Sequence, residues 1–268
     1  MNANLYRKEL KRNRKNLMVW TLIVLGFTLF VLGFYPSIAD MGTALTDLME
    51  KLPPELGKAM GMDMTTWSGS VGYYSTYYGI YIILLMGIYT TSTGATIVSK
   101  EERDGTSEFL LTRPLSRTNI MVTKMAALFT LVGIIFLLQT LTAMAGFQFF
   151  SPNEVNWTEV SIMHGHGFIL ILFFTCIGVL LPHLSHPKKN FMGMVVGLIF
   201  GSYFLNALSR SSPDLEWLGY ISPFHYMSFS ISDPDYGFNA LGSIMLLVLA
   251  FGLLYTAHWR YQSKDIQG

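Results

Sequence analysis

The residues that could bind a metal are two pairs of histidines at the two ends of an apolar segment. His164 and His166 precede the segment. His183 and His186 close it. A helix of this length separates His166 from His183 by about 25 Å, so the pairs cannot share one ion. Neither pair has a neighbouring cysteine or carboxylate to complete a zinc ligand set. We therefore interpret these histidines as interfacial residues that cap helix ends, and we expect no metal site.

Sequences typical of nucleotide hydrolysis and of other hydrolases are missing. Gly57-Lys58 lacks the earlier glycine of a phosphate-binding loop. The chain contains no His-Glu-x-x-His motif and no Gly-x-Ser-x-Gly motif. We therefore expect a protein that is not an enzyme and binds no cofactor itself. Any work it performs would take its energy from a partner.

Uncharged polar side chains within apolar segments are the candidates for contact with a transported molecule. They are Tyr81, Thr90, Gln139 and Asn206. The alternative role for each is a hydrogen bond between helices, which is common in membrane bundles. An interior without charge does not fit an ion channel with a charged ring. It favours an apolar or amphiphilic cargo such as a drug, a lipid or a hydrophobic peptide.

Six apolar segments must position these residues. The chain has 268 residues, of which 51% are hydrophobic and 13% charged, whereas about 25% are charged in soluble domains. Each segment is close to the ~20 residues that cross a bilayer. The first is longer than a signal-peptide core, so we expect it to be retained. The prediction is an all-α polytopic membrane protein with spans at Leu17–Ala39, Tyr74–Val98, Met121–Phe147, Gly167–Leu184, Phe191–Leu208 and Ala240–Trp259.

Lysine and arginine are distributed unevenly between the two sides of these spans. All but three of the 18 lie in the N-terminal segment, the second-to-third connection, the fourth-to-fifth turn or the C-terminus. The exceptions are Lys51, Lys58 and Arg210. Because positive charges stay in the cytosol, both termini are predicted to be cytosolic. We expect a single transmembrane domain, residues 1–268, in a bacterial plasma membrane.

The first connection, residues 40–73, is predicted to be an extracellular helical loop. Met41, Leu45 and Leu48 follow one another at spacings of three and four, which is typical of an amphipathic helix. Such a helix would lie in the membrane interface. A gate for the cargo is the alternative.

The second connection, residues 99–120, alternates turn and helix signals. Asp104-Gly105 should end a helix, because glycine tolerates the left-handed conformation. Thr106 can cap a new helix, and Pro114 stops it after about two turns. Ser116 can then cap the third span. The loop therefore carries one short helix of its own.

That short helix presents an apolar cluster, Phe109-Leu110-Leu111, within a charged loop. The cluster needs burial, either against the helix ends of the same protein or in a groove of a soluble partner. The residues alone do not decide between these. Arg117 and Lys124 are expected at the level of the lipid headgroups.

The stretch from Glu102 to Arg117, followed by Lys124, resembles the signature of ABC type-2 exporter permeases. Further matches are Leu52–Leu56 with Gly61–Asp63 in the first connection and Ile221–Phe224 before the last span. In that family the loop forms a coupling helix in a cleft of a separate ATP-binding subunit, which holds ATP and Mg²⁺. The resemblance implies that the contacts with this ATPase are made by Glu102, Gly105, Thr106, Glu108, Phe109, Leu110, Leu111, Arg113, Pro114 and Arg117.

The resemblance also implies an amphipathic elbow helix at residues 1–16. The expected partners are an ABC ATP-binding subunit, a second permease copy (identical or a sister chain) and membrane lipid, with no nucleic acid. The predicted function is the permease subunit of an ATP-driven exporter. The alternative is a membrane sensor or scaffold that binds a cytosolic partner through residues 99–120. A membrane-embedded enzyme is disfavoured, since no catalytic group of residues is present.

Overall fold

A computed structural model describes residues 1–41, 67, 69–105, 116–152, 154–184, 190–231 and 236–263. Within these residues the chain is helical and has no strand, and six helices are long and apolar enough to cross a membrane. They are α1 (Ala3–Asp40), α2 (Ser70–Arg103), α3 (Arg117–Phe150), α4 (Trp157–Leu184), α5 (Met192–Ser211) and α6 (Ala240–Ser263). Two 3₁₀ helices, Pro213–Ile221 and Pro223–Tyr226, follow α5. The predicted all-α fold with six spans is confirmed.

α1 is one unbroken helix where the sequence suggested an elbow helix followed by a span. Its first turn is capped by the side chain of Asn2, which accepts from the amide of Leu5. No proline interrupts it before Pro36. At 1.5 Å per residue its 38 residues extend about 57 Å, and the hydrocarbon core is about 30 Å thick. Part of α1 must therefore project beyond the core or tilt strongly. The interfacial position of residues 1–16 stays a prediction.

The boundaries of α2 and α3 follow local signals that the sequence displays. α2 ends at Asp104-Gly105, and Gly105 has φ +65°, as predicted. Ser116 caps α3 by accepting from the amide of Asn119 at 3.2 Å, also as predicted. The loop between them, residues 106–115, lies outside the described residues. So does most of the predicted helical loop at residues 40–73.

α4 begins earlier than the predicted span Gly167–Leu184. The side chain of Asn156 accepts from the amides of Thr158 and Glu159, which starts the helix at Trp157. Glu159 lies in the first turn, where negative charge is favourable. The helix extends ten residues before the predicted span, because the polar segment before the apolar run also folds as helix.

α2 forms the centre of the bundle. In its most apolar window 83% of residues are buried, against 28% in α1 and 22% in α5. α2 and α4 approach so closely that a Cβ on Gly178 would lie 2.2 Å from the carbonyl oxygen of Thr91. Gly94 faces the backbone of α4 at Thr175 in the same way, at 3.0 Å. Glycines thus set the distance between the two central helices.

Two ends of the bundle differ in chemistry. The end at which α2 stops and α3 starts is called the charged end, and it is marked by Glu9, Lys100 and Lys124. We call the aromatic end the opposite one, marked by Tyr74 and Tyr78 near the start of α2.

A π-helical segment, Tyr78–Ile82, interrupts α2 near the aromatic end. Its hydrogen bonds reach five residues back instead of four, so the residues on its two sides do not share one α-helical register. Tyr74 and Tyr78 are fully buried, whereas Tyr81 is 43% exposed. Tyr74 and Tyr81 therefore differ in burial although seven residues, about two α-helical turns, separate them.

Candidate coupling and transport sites

The charged end carries the described part of the predicted coupling loop. Glu102 lies in the last turn of α2, Gly105 ends that helix, and Arg117 begins α3. The remaining predicted contacts lie outside the described residues: Thr106, Glu108, Phe109, Leu110, Leu111, Arg113 and Pro114. The structure therefore gives the frame that holds the loop.

Buried ion pairs join three helices in this frame. Lys100 of α2 pairs with Glu9 of α1. Lys124 of α3 pairs with Glu101 of α2, and its ammonium also donates to the carbonyl of Ile97 at 2.9 Å. Glu9 and Lys124 are each only 1% exposed and Lys100 is 2% exposed. Charges are buried in proteins when they are paired and hydrogen-bonded, and each of these cations is.

An exposed ion pair joins α1 to the end of α2, nearer to the loop than the buried pairs. Arg12 donates to Asp104 at 2.6 Å, and Arg103 donates to the other carboxylate oxygen at 3.3 Å. The hydrogen bond from Arg12 lowers the pKa of Asp104 below its usual value. The residue before Gly105 is thus tied to the second half of the predicted segment 1–16.

Arg117 connects the start of α3 with the end of α6. Its guanidinium donates to the carbonyl of Gln262 at 3.0 Å. The side-chain amide of Gln262 donates to the hydroxyl of Thr118 at 2.9 Å. Contact with an ATPase, the role implied for Arg117 by resemblance, stays a prediction.

Two of the predicted cargo contacts are buried inside the helix packing. Gln139 of α3 is fully buried and donates to the hydroxyl of Tyr74 at 2.7 Å. Thr90 is fully buried and donates to the carbonyl of Gly87, one turn back in α2, at 3.3 Å. These are the bonds that membrane bundles commonly use. A role in the path stays a prediction for both.

Asn206 of α5 lines a cavity of about 40 Å³ between α2, α5, the second 3₁₀ helix and the segment that follows it. Thr76, Gly79 and Phe229 line it as well. Asn206 is 8% exposed, and its carboxamide oxygen has no hydrogen-bond partner among the described residues. The volume holds a few water molecules, and a drug-sized molecule needs about 300 Å³ or more. The bundle would have to open here to admit a cargo.

Tyr81 lies apart from the other three candidates. It is exposed on the outside of α2, with its ring 5.5 Å from that of Phe27 in α1 and 5.9 Å from that of Tyr77. Tyr81 lies inside the π-helical segment, so α-helical spacing from Tyr74 does not fix the direction of its side chain. The structure does not bring the four predicted cargo contacts into one site.

The sequence suggested that His164 and His166 cap the end of a helix, but in the structure they do not. Both lie within α4 and are buried. His164 packs against the ring of Tyr78 at 4.7 Å. His166 bonds through one nitrogen to the carbonyl of Ser228 and accepts from the amide of Asn239 through the other. The earlier start of α4 explains the error. Among the described residues no group of three or more candidate ligands could hold a metal.

The comparison with families of known proteins decides what these features belong to. Residues 3–266, which are nearly the whole chain, match the model of the ABC-2 family transporter proteins. The chain belongs to this family. No curated protein matches it. This ABC-2 protein is thus a multi-pass membrane protein with the role of a permease in an ABC transporter. The family implies association with an ABC ATP-binding subunit in general.

The sequence did not reveal the ion-paired frame of this ABC-2 protein. Lys124 was expected at headgroup level, and the structure buries it against Glu101 and Ile97. The sequence did contain a sign that Glu9 belongs to an ion pair, because Glu9 is the one acidic residue within the basic segment 1–16. It also follows Leu5 by four residues, on the face that is buried.

Proposed function

We propose that this chain is the permease subunit of an ATP-driven exporter that moves an apolar or amphiphilic molecule out across the plasma membrane. The match to the ABC-2 family over residues 3–266 carries the proposal. The charged end faces the cytosol, because lysine and arginine concentrate there. The chain holds no cofactor, and ATP with Mg²⁺ is bound by a separate ATP-binding subunit.

The loop 106–115 is the contact with that subunit. It is the segment between the ion-paired ends of α2 and α3, and its apolar residues Phe109, Leu110 and Leu111 fit a groove on a soluble partner. Two permease chains, identical or sister, stand above two ATP-binding subunits. ATP favours one arrangement of the subunits, and its differential affinity shifts the spans between inward-facing and outward-facing forms.

The cargo path lies at the aromatic end, where Asn206 faces the small cavity. Spans without charged cores suit an apolar or amphiphilic cargo, since intramembrane charges mark ion and proton pathways. The cavity is closed to a drug-sized molecule in this conformation, so transport requires the outward-facing form.

Co-purification in detergent with candidate ABC ATP-binding subunits from the same genome tests the proposal. The native chain should capture one of them and change its ATPase activity. The variant Phe109→Ala/Leu110→Ala should lose both effects. The control is Phe149→Ala/Leu241→Ala, two apolar residues that are 82% and 81% exposed at the aromatic end; it should behave as the native chain.

Two results would contradict the proposal. The coupling loop is excluded if the Phe109→Ala/Leu110→Ala variant captures and stimulates the subunit as well as the native chain does. Capture without any change in ATPase activity in lipid vesicles would instead favour the sensor or scaffold.

A further inference from the structure

Six basic residues near the start of α1 share one face of the helix, which we call the basic stripe. At about 100° per residue they fall within an arc of about 160°. All six are exposed, whereas Leu5 and Glu9 on the opposite face are buried. The basic stripe therefore points away from the rest of the bundle. Its members are Arg7, Lys8, Lys11, Arg12, Arg14 and Lys15.

The protein itself neutralises little of the basic stripe. Within the part of the chain that the structure describes, Arg12 is the one member with an acidic partner, Asp104. Lys100 and Lys124, by contrast, lie in buried ion pairs. Neighbours three or four residues apart in the stripe carry like charges and repel each other. An anion from outside the chain would offset this repulsion.

Beyond Lys15 the same side of α1 becomes apolar and stays exposed. Met18, Leu22 and Leu29 are 52%, 69% and 44% exposed. They continue the helical spacing of Lys11 and Lys15, so basic and apolar side chains form one line along the helix. In a membrane-spanning helix, an apolar face that the bundle does not cover lies against lipid. The basic stripe thus stands directly above lipid chains that border α1.

Distances along this line match those within a phospholipid. Lys15 and Lys11 precede Met18 by about 4.5 and 10.5 Å along the helix axis. The headgroup layer is about 5–7 Å thick on each side of the hydrocarbon core, and long basic side chains can extend towards it. A Cβ built on Gly26 would meet no neighbouring residue within 4 Å, so the apolar part of the line contains a dent for an acyl chain.

We propose that the exposed face of α1 binds an anionic phospholipid of the leaflet at the charged end. Lys11, Arg14 and Lys15 bind its phosphate and its anionic headgroup, and its acyl chains lie along Met18 and Leu22. A zwitterionic lipid fits less well, because its choline or amine adds a positive charge beside the stripe. No ATP-binding subunit is needed for this binding, so the inference stands apart from the proposed function.

A second copy of the chain fits this face poorly. Most homodimers are two-fold symmetric, and residues near the axis of such a dimer meet their own equivalents. A dimer formed through this face of α1 would bring two basic stripes together. An anionic lipid has the charge that the stripe lacks.

The test measures which lipid lies next to position 18 in nanodiscs of phosphatidylcholine that hold the full chain alone. In a Cys176→Ser background, Met18→Cys carries a bimane fluorophore. Doxyl-labelled phosphatidylglycerol or phosphatidylcholine is added at equal mole fraction, and its nitroxide quenches the fluorophore at short range. Tyr255→Cys, at an exposed position of α6 towards the same end, is the reference. Phosphatidylglycerol should be enriched severalfold at position 18 and not at position 255.

The decisive variant is Lys11→Gln/Arg14→Gln/Lys15→Gln, which keeps long side chains that favour a helix. Each cation near an anionic surface raises the affinity about fivefold, so the enrichment should fall to about one. Lys11→Arg/Arg14→Lys/Lys15→Arg preserves the charges and should keep the enrichment. Arg260→Gln removes an exposed cation at the charged end of α6 and should behave as the native chain.

Three results would overturn the inference. They are equal quenching by the two lipids at position 18 of the native chain, enrichment that persists in the triple glutamine variant, and weak quenching by both lipids at position 18 alone. The last would mean that another protein chain covers this face.

A salt series on the native chain decides if the glutamine variant does not fold. The enrichment should fall between about 0.1 M and 1 M salt, because the screening length shortens from about 10 to 3 Å. Enrichment that is independent of salt would contradict binding by the basic stripe.

Discussion

The two ends of α2 bury polar groups in opposite ways. At the charged end each buried cation has an anionic partner, as in Lys100 with Glu9 and Lys124 with Glu101. At the aromatic end the buried groups are uncharged and only partly bonded. The atoms there without a hydrogen-bond partner among the described residues include the hydroxyl of Tyr78, the carboxamide oxygens of Gln139 and Asn206, and Nε2 of His164.

This difference predicts which end opens. A buried polar group without a partner costs about 1–3 kcal/mol, which water would recover on entering. Several such atoms near Tyr78 favour a conformation in which the aromatic end is hydrated. Separating the ion pairs of the charged end would instead expose or strand charges. We therefore expect the bundle to open at the aromatic end and to move as one body at the charged end.

The largest effect should come from a substitution at the contact between α2 and α4, the two central helices. In Gly178→Ala the new methyl group would meet the backbone of Thr91 at 2.2 Å, where no side chain can move aside. Because backbone blocks the methyl group, we expect a loss well above the about 1–3 kcal/mol that is usual for overpacking, and little folded protein in size-exclusion chromatography. Gly197→Ala, with open space around the glycine, is the control. Normal yield of Gly178→Ala would show that the two central helices can separate.

The second prediction concerns how much the pairing of charges at the charged end contributes to the free energy of unfolding. Lys100→Met alone leaves Glu9 buried without a partner and should lower the free energy of unfolding by about 3–5 kcal/mol. Glu9→Leu/Lys100→Met should recover most of this loss, because no charge is stranded. Thermal unfolding of both variants in detergent measures the difference. Equal losses in the two variants would mean that the pair contributes through packing and not through charge.

A smaller effect of opposite sign is expected at the aromatic end. Tyr78→Phe removes a buried hydroxyl without a partner, so stability should be unchanged or rise by about 1 kcal/mol. Tyr74→Phe is the matched substitution that removes the bond from Gln139, and it should cost about 1 kcal/mol. The same thermal unfolding assay compares the two tyrosines. A destabilised Tyr78→Phe would show that its hydroxyl is already bonded, and the contrast between the ends would weaken.

The smallest effect belongs to the exposed pair of Arg12 and Asp104. The pKa of Asp104 is lowered, chiefly by the hydrogen bond from Arg12. Its contribution is therefore present above the ordinary aspartate pKa and disappears as the pH falls through the lowered pKa. Asp104→Asn should remove this pH dependence with little loss of stability at neutral pH, because solvent and salt screen exposed pairs. Thermal unfolding against pH at low and high salt checks this. A large loss at neutral pH would place Asp104 among the essential contacts.

The sequence predicts the local boundaries of this fold better than its internal contacts. Ser116 caps α3 and Gly105 ends α2 at the predicted positions, because helix caps and left-handed turns depend on neighbouring residues only. The burial of Lys124 could not be foreseen, since its partner Glu101 is brought close only when α2 packs on α3. The exposure of Tyr81 could not be foreseen for a related reason, as α-helical spacing contains no sign of a π-helical turn.

The π-helical turn at Tyr78–Ile82 has a consequence for how the gene can change. A π turn accommodates one residue more than the α-helix around it needs. Loss of one codon within it would let ordinary four-residue bonding run through α2, and the faces on either side would keep their present orientation. In an uninterrupted span the loss of one residue turns the two parts by about 100° relative to each other. Here the continuous helix would keep Tyr74 directed towards its present neighbours.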